Sequence, residues 1–199
     1  MYPGEQNSGG KPPVGLGTVN IGNCLGAQAQ HWNAMVSFNN CQAGFIAYCP
    51  QITTVNTTLT INNIEGPQGV SLSATDSNVE LSIFTVSPMS PKRSITGTLA
   101  GRTTIWGNNV PLSWEADTEA AMFTVNAGAE INFRNFQLNA SGDYLALFQM
   151  SETSQVRMAN VSGMTGNPIV AYAVSNDLNP LTPLVYGTYA ELFIRYEPA

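Results

Sequence analysis

The stretch EINFRNFQLN at residues 130–139 decides how this chain is read. Ile131 and Phe133 alternate with polar neighbours as a half-buried strand requires, but Asn135 breaks the alternation and apolar Phe136 follows it. The same apolar-x-apolar-x-Asn-apolar pattern returns in LTINNI (59–64) and VRMANV (156–161). Asn tolerates the left-handed backbone of a sharp bend, and its amide can hydrogen-bond to an equivalent amide in the next repeat. Asn63, Asn135 and Asn160 are therefore expected at corners, with Asn135 and Asn160 as direct neighbours in a ladder. In TTIWGN (103–108) the corner role passes to Gly107 or Asn108.

Around these stretches the chain repeats. Strands begin at Leu59, Val79, Thr103, Ile131 and Val156, at intervals that vary only modestly. Shortly before four of these marks a second short strand begins, at Val70, Ile95, Phe123 and Phe148. A unit of this length with two short strands and no crossover helix suits one coil of a solenoid, each strand pairing in parallel with its equivalent ~4.8 Å away. The longest interval, from Thr103 to Ile131, is read as a loop grown at WEADTEA (114–120). A two-sheet jelly roll, with antiparallel pairing between near neighbours, is the alternative.

Composition narrows the function classes. Apolar residues make up 43% of the 199 and charged residues 10%, which describes a chain that folds, and the length suits one domain. Net charge is −6 and the seven basic residues stand apart except for Lys92-Arg93, so no nucleic-acid footprint is visible. Apolar runs fall far short of the ~20 residues of a membrane-spanning helix. The opening MYPGEQNSGGKPPVGLG has no apolar signal core and reads as a flexible start, so export is an inference.

The stretches ITGTLAGRTTIWGNN (95–109) and MFTVNAGAEINFRNFQLNAS (122–141) resemble the coils of secreted bacterial surface proteins with the right-handed parallel β-helix of the pectin-lyase-like fold, in particular adhesins and polymorphic outer-membrane proteins. There a coil typically runs T-x-I-x-G-N, then Phe-x-Val-x-x-Gly-Ala, then an apolar-x-apolar-x-Asn strand. The resemblance covers roughly residues 55–175. It implies an all-β fold, a short right-handed parallel β-helix of about five coils, placed outside the cell or on its surface. The organisation expected is a flexible segment at 1–20, an N-terminal cap at 21–54, the β-helix at 55–180 and a C-terminal cap or exchange strand at 181–199. Within the first cap, Leu25, Trp32, Met35 and Val36 could share one face of a short helix over 25–38.

Candidate chemistry is sparse. Glu80 with Glu130, or Arg134 with Arg157, come nearest to stacking on successive coils, but they do not fall at one coil position, and no catalytic cluster follows. His31 is the only His, no zinc spacing is present, and no cofactor or metal is expected. Cys24, Cys41 and Cys49 allow one disulfide plus a free thiol, or three buried reduced thiols. Trp106 and Trp114 read either as a sugar-stacking pair or as core and loop packing. At the C-terminus VYGTYAELFIRY reads as one long alternating strand. Its Tyr186, Tyr189, Leu192, Ile194 and Tyr196 either fold back over the last coil or contact a neighbouring subunit. The function expected is a non-enzymatic extracellular structural protein, a self-associating filament or surface-layer subunit or an adhesin. A carbohydrate-binding or polysaccharide-lyase-like β-helix is the first alternative and a trimeric phage or virion fibre domain the second.

Overall fold

The computed structural model describes residues 17–32, 34–48, 51–65, 70–81, 84–85, 95–109, 111–115, 121–141, 147–166, 169–173 and 182–197. Among them the chain is all-β, without a helix, and so without one long and apolar enough to cross a membrane. The strands of the N-terminal part are β1 (Gly17–Gly22), β2 (Leu25–Trp32), β3 (Ala34–Asn39), β4 (Gln42–Tyr48), β5 (Gln51–Val55) and β6 (Thr58–Glu65). There follow β7 (Val70–Thr75), β8 (Asn78–Leu81), β9 (Phe84–Thr85), β10 (Ile95–Ala100), β11 (Arg102–Trp106) and β12 (Pro111–Glu115). The remainder are β13 (Phe123–Val125), β14 (Glu130–Ser141), β15 (Phe148–Met150), β16 (Gln155–Ser162), β17 (Ile169–Ala173), β18 (Thr182–Tyr186) and β19 (Leu192–Arg195).

The chain shuttles between two largely parallel sheets. The first has the order β1-β3-β5-β7-β10-β13-β15-β17-β18 and the second β2-β4-β6-β8-β11-β14-β16-β19. Strand β9 lies beside the end of β6, and β12 beside the second half of β14. Only the last step on each sheet is antiparallel, β18 on β17 and β19 on β16. The strands expected at Val70, Ile95, Phe123 and Phe148 are β7, β10, β13 and β15, neighbours in the first sheet. In the second sheet Ile131 pairs with Val156 and Leu59 with Val79, but Val79 pairs with Ile105 rather than Thr103. A two-residue shift keeps every side chain on its own face, so alternation alone cannot detect it.

Two expectations are corrected here. In place of the helix expected over 25–38, Leu25–Trp32 and Ala34–Asn39 form β2 and β3: in β3, Val36 and Phe38 are buried while Met35 and Ser37 are not, a period of two, and pairing with β4 and β5 overrides the helix propensity of the Ala and Gln residues. The C-terminal stretch is two strands rather than one, broken after Tyr186 where Gly187 takes φ 119°. Residues 21–54, assigned to a cap, supply β2 to β5 and the end of β1 to the same two sheets. The repeat there is short. Met35 lies beside Gln51, whereas Gly97 lies beside Phe123, a step more than half as long again.

Corners between the sheets are made by residues that accept positive φ. Asn23, Asn40, Asn56 and Asp76 hold φ of 51°, 54°, 45° and 47°. The amide of Asn40 donates to Asn23 Oδ1 at 3.3 Å and that of Asn56 to Asn40 Oδ1 at 2.8 Å. In the later corners a small polar residue follows, turned inward. Thr57 Oγ1 donates to Val55 O at 2.8 Å and Ser77 Oγ to Thr75 O at 2.7 Å, while each hydroxyl accepts the backbone N–H of its equivalent one repeat earlier at 3.3 Å. The buried hydroxyls are thus satisfied inside the corner that contains them.

A second corner explains EINFRNFQLN. Asn135 and Asn160 lie inside β14 and β16 with φ 57° and 52°, and Asn160 Nδ2 donates to Asn135 Oδ1 at 2.9 Å. The left-handed step returns Phe136 to the side occupied by Phe133, and their rings stack at 3.9 Å, 3° from parallel. Asn108 and Asn109, at φ 48° and 58°, make the equivalent turn between β11 and β12. Asn63 lies in β6 where the register slips by one residue, Phe45 opposite Ile61 but Ala47 opposite Ile64.

The core fills the space between the sheets. On the first sheet Val36, Ile52, Leu72, Gly97, Phe123, Phe148 and Ala171 stand in register, with Phe38, Thr54, Ala74, Leu99, Val125, Met150 and Ala173 in the row beside them. Thr54 interrupts the second row: it is fully buried and its Oγ1 has no partner. Thr54→Val, nearly isosteric, removes an unpaired hydroxyl and should raise stability by about 1 kcal/mol in urea denaturation. An unchanged or lower midpoint would mean that the hydroxyl is satisfied.

Candidate binding face

The outward side chains of the second sheet come from alternate positions of β8, β11, β14, β16 and β19. In register across the strands, Glu80, Trp106, Arg134 and Ala159 form one row. Asn78, Thr104, Asn132, Arg157 and Phe193 form the next, and Arg102, Glu130, Gln155 and Arg195 the third. The Lys and Arg residues among the described positions are Arg102, Arg134, Arg157 and Arg195, and all four lie on this face. Read along the chain they are dispersed; parallel pairing of β11, β14 and β16 collects the first three, and the antiparallel return of β19 brings in Arg195. Sequence reasoning did not single out Arg102 or Arg195: aligning the strands repeat by repeat exposes Arg102, whereas Arg195 reaches the face only through the antiparallel pairing of β19.

Several side chains on the face are held in place. Trp106 Nε1 donates to Asn108 Oδ1 at 2.7 Å, and Asn108 Nδ2 donates to Glu80 Oε1 at 2.7 Å and to Leu81 O at 3.1 Å. The indole is thereby oriented while 37% of Trp106 stays exposed. The Arg157 guanidinium sits over the Phe193 ring at 5.1 Å from its centroid, a cation–π contact at a half-open site. Arg102 pairs with Glu130 at 3.4 Å, both well exposed, so the pair is weak. Arg134 Nε is buried without a hydrogen-bond partner. Beside Trp106 an open groove of about 390 Å³ runs over Thr58, Thr60, Asn78, Glu80 and Thr104.

The remaining sequence candidates are placed as follows. Trp114 lies in β12 opposite Ala140, in a strand rather than in the loop expected to begin there. His31 lies in β2 opposite Ala47. Glu80 and Glu130 stand two strands apart in different rows, and among the described residues no three His, Cys, Asp or Glu side chains converge. Cys24 and Cys41 are free thiols at successive corners, and Cys49 lies outside the described residues. At the C-terminus Ile194 is buried, with Leu192 and Tyr196 packed against the same core, so these three fold back over the preceding strands. Tyr186 and Tyr189 stay 50% and 37% exposed, with Tyr189 Oη donating to Tyr186 O at 2.9 Å.

Fold and face together define an all-β protein of two largely parallel sheets that presents arginines and an oriented Trp on one of them. No family model, curated protein or solved structure matches the chain.

Proposed function

We propose that the chain is a short right-handed parallel β-helix acting outside the cell as a non-enzymatic attachment protein, which holds an anionic polysaccharide along the outward face of its second sheet. The observation that carries this reading is the gathering of Arg102, Arg134, Arg157 and Arg195 with Trp106 on one face of a chain whose net charge is −6. Guanidinium groups pair bidentately with carboxylates, and an indole accepts the apolar face of a sugar ring. Trp106 and Arg134 stand in one row on adjacent strands, ~4.8 Å apart at the backbone, so a sugar ring on the indole lies next to the guanidinium. The winding is supported by the alternation of strands between sheets, and the hand by the strong bias of parallel crossovers. A hydrolytic role is less well supported because Glu80 and Glu130 do not face one another across a common position.

Calorimetry with a uronate oligosaccharide and a neutral oligosaccharide of equal length tests the reading. Binding of the uronate alone is expected, weakening with salt, with Trp106→Ala, Arg134→Gln and Arg157→Gln each losing roughly tenfold in affinity, about 1.4 kcal/mol. Equal binding of the neutral oligomer, no binding, or indifference to all three substitutions would overturn it.

One observation favours a second reading, self-association through the ends. Among the described residues no strand pairs with the outer edges of β1 and β2, while Tyr186, Tyr189 and Phe193 are exposed at the other end. Light scattering on the same samples separates the two: a single monomer mass leaves attachment standing alone, and concentration-dependent growth adds a polymerising role.

A further inference from the structure

Cys24 and Cys41 occupy equivalent places in successive repeats. Each follows a left-handed Asn, Asn23 or Asn40, and Gln42 N donates to Cys24 O at 2.9 Å, so the two passages of chain run side by side there. Neighbouring positions in a sheet lie ~4.8 Å apart, inside the range of about 4.4–6.8 Å between Cα atoms that a disulfide spans. The Cys41 thiol donates to Asn39 O at 3.3 Å and also reaches Ile21 O at 3.5 Å, which aims its sulfur toward the repeat holding Cys24. The equivalent positions later in the chain carry Thr57 and Ser77, whose hydroxyls satisfy their corners; the first two corners carry cysteine in their place. Burial, together with the Cys41 thiol alongside, pushes the Cys24 thiol up to about 11, so at neutral pH it rests protonated.

We infer that Cys24 and Cys41 close an intramolecular disulfide that clamps the first two repeats together when the chain meets a disulfide oxidant, leaving Cys49 out of the bridge. Half-buried Cys24 is the entry point, since Cys41 is buried. Its sulfur, after giving up a proton to solvent, attacks a small-molecule disulfide such as oxidised glutathione and releases one thiolate. Cys41 then loses its proton and attacks the Cys24 sulfur of the mixed disulfide, expelling the second thiolate. Two protein thiols are oxidised and one small disulfide is reduced to two thiols. The bridge joins neighbouring repeats at the corner nearest β1 and β2, the first strands of the two sheets among the described residues.

The test is incubation of the folded full-length Cys49→Ser protein with oxidised glutathione, read by intact mass, peptide mapping and melting temperature. The expected result is loss of two hydrogens without a retained glutathione, a cross-linked peptide pair containing Cys24 and Cys41, and a melting temperature several degrees higher that falls back with reductant. A persistent glutathione adduct, or two free thiols after prolonged incubation, would overturn the inference. If Cys49→Ser does not fold, the wild-type map decides: a bridge between Cys24 and Cys41 is expected, and one from Cys49 to either of them overturns it.

Discussion

Gly97→Ala should cost about 4 kcal/mol or more in urea or thermal denaturation, close to the largest effects single substitutions produce. Gly97 stands in the inward row of the first sheet between Leu72 and Phe123, and its N–H donates to Met122 O at 3.0 Å. A Cβ built there would lie 1.6 Å from Leu72 O and 2.6 Å from Leu72 C. Those are backbone atoms in the middle of a parallel ladder, so no rotamer change relieves the overlap. Strands β7 and β10 would have to separate, breaking pairing from Val70–Ile95 to Thr75–Ala100 and opening the core above buried Leu72. Gly22→Ala is the internal control: the nearest atom to its Cβ is Asn39 O at 3.9 Å, ordinary contact distance. Its effect should stay within about 0.5 kcal/mol. If Gly97→Ala cost no more than Gly22→Ala, the register of β10 between β7 and β13 would be wrong.

What the sequence reveals, and what it hides, follows from the range over which each feature acts. Alternation in VSLSA, FTVNA and INFRNF is local, and it locates strands wherever the inward residues are large and β-branched or aromatic. In LGAQAQHW no residue is β-branched and Ala and Gln favour helix, so β2 is legible only through its pairing with β4, a contact between repeats. The repeat itself is legible from Leu59 onward, where the repeats are long and similar in length. The first repeats are markedly shorter, with Gly17 beside Ala34 and Met35 beside Gln51, and a search for the longer period passes over them. The corner at Asn23, Asn40 and Asn56 stays hidden for the same reason, although each Asn is followed by Cys or Thr, a signature of Asn and then a small residue. The candidate face is the least legible feature. Arg102, Arg134, Arg157 and Arg195 look scattered until the pairing of β11, β14, β16 and the antiparallel β19 is known.

Phe133→Ala is expected to be the second large loss, about 4 kcal/mol, within the range for emptying the site of a buried Phe. Phe133 is fully buried, stacks on Phe136 at 3.9 Å and meets Phe123 and Phe148 edge-on at 5.8 Å and 5.4 Å. Its partners come from both sheets and from the far side of the Asn135 bend, so one deletion removes contacts that join three passages of chain. Strand backbones on either side of the cavity are held by parallel ladders and cannot collapse freely into it, which keeps the loss at the upper end of the range. Phe133→Leu retains part of the volume and should cost about 1.5 kcal/mol, the difference measuring the ring contacts. Asn132 and Arg134 flank Phe133 on the outward side of the same strand. Phe133→Leu should therefore bind the uronate oligosaccharide with wild-type affinity while it remains folded, whereas Arg134→Gln loses affinity at nearly wild-type stability. If Phe133→Ala lost less than about 1.5 kcal/mol, the aromatic cluster would not be the element that joins the two sheets.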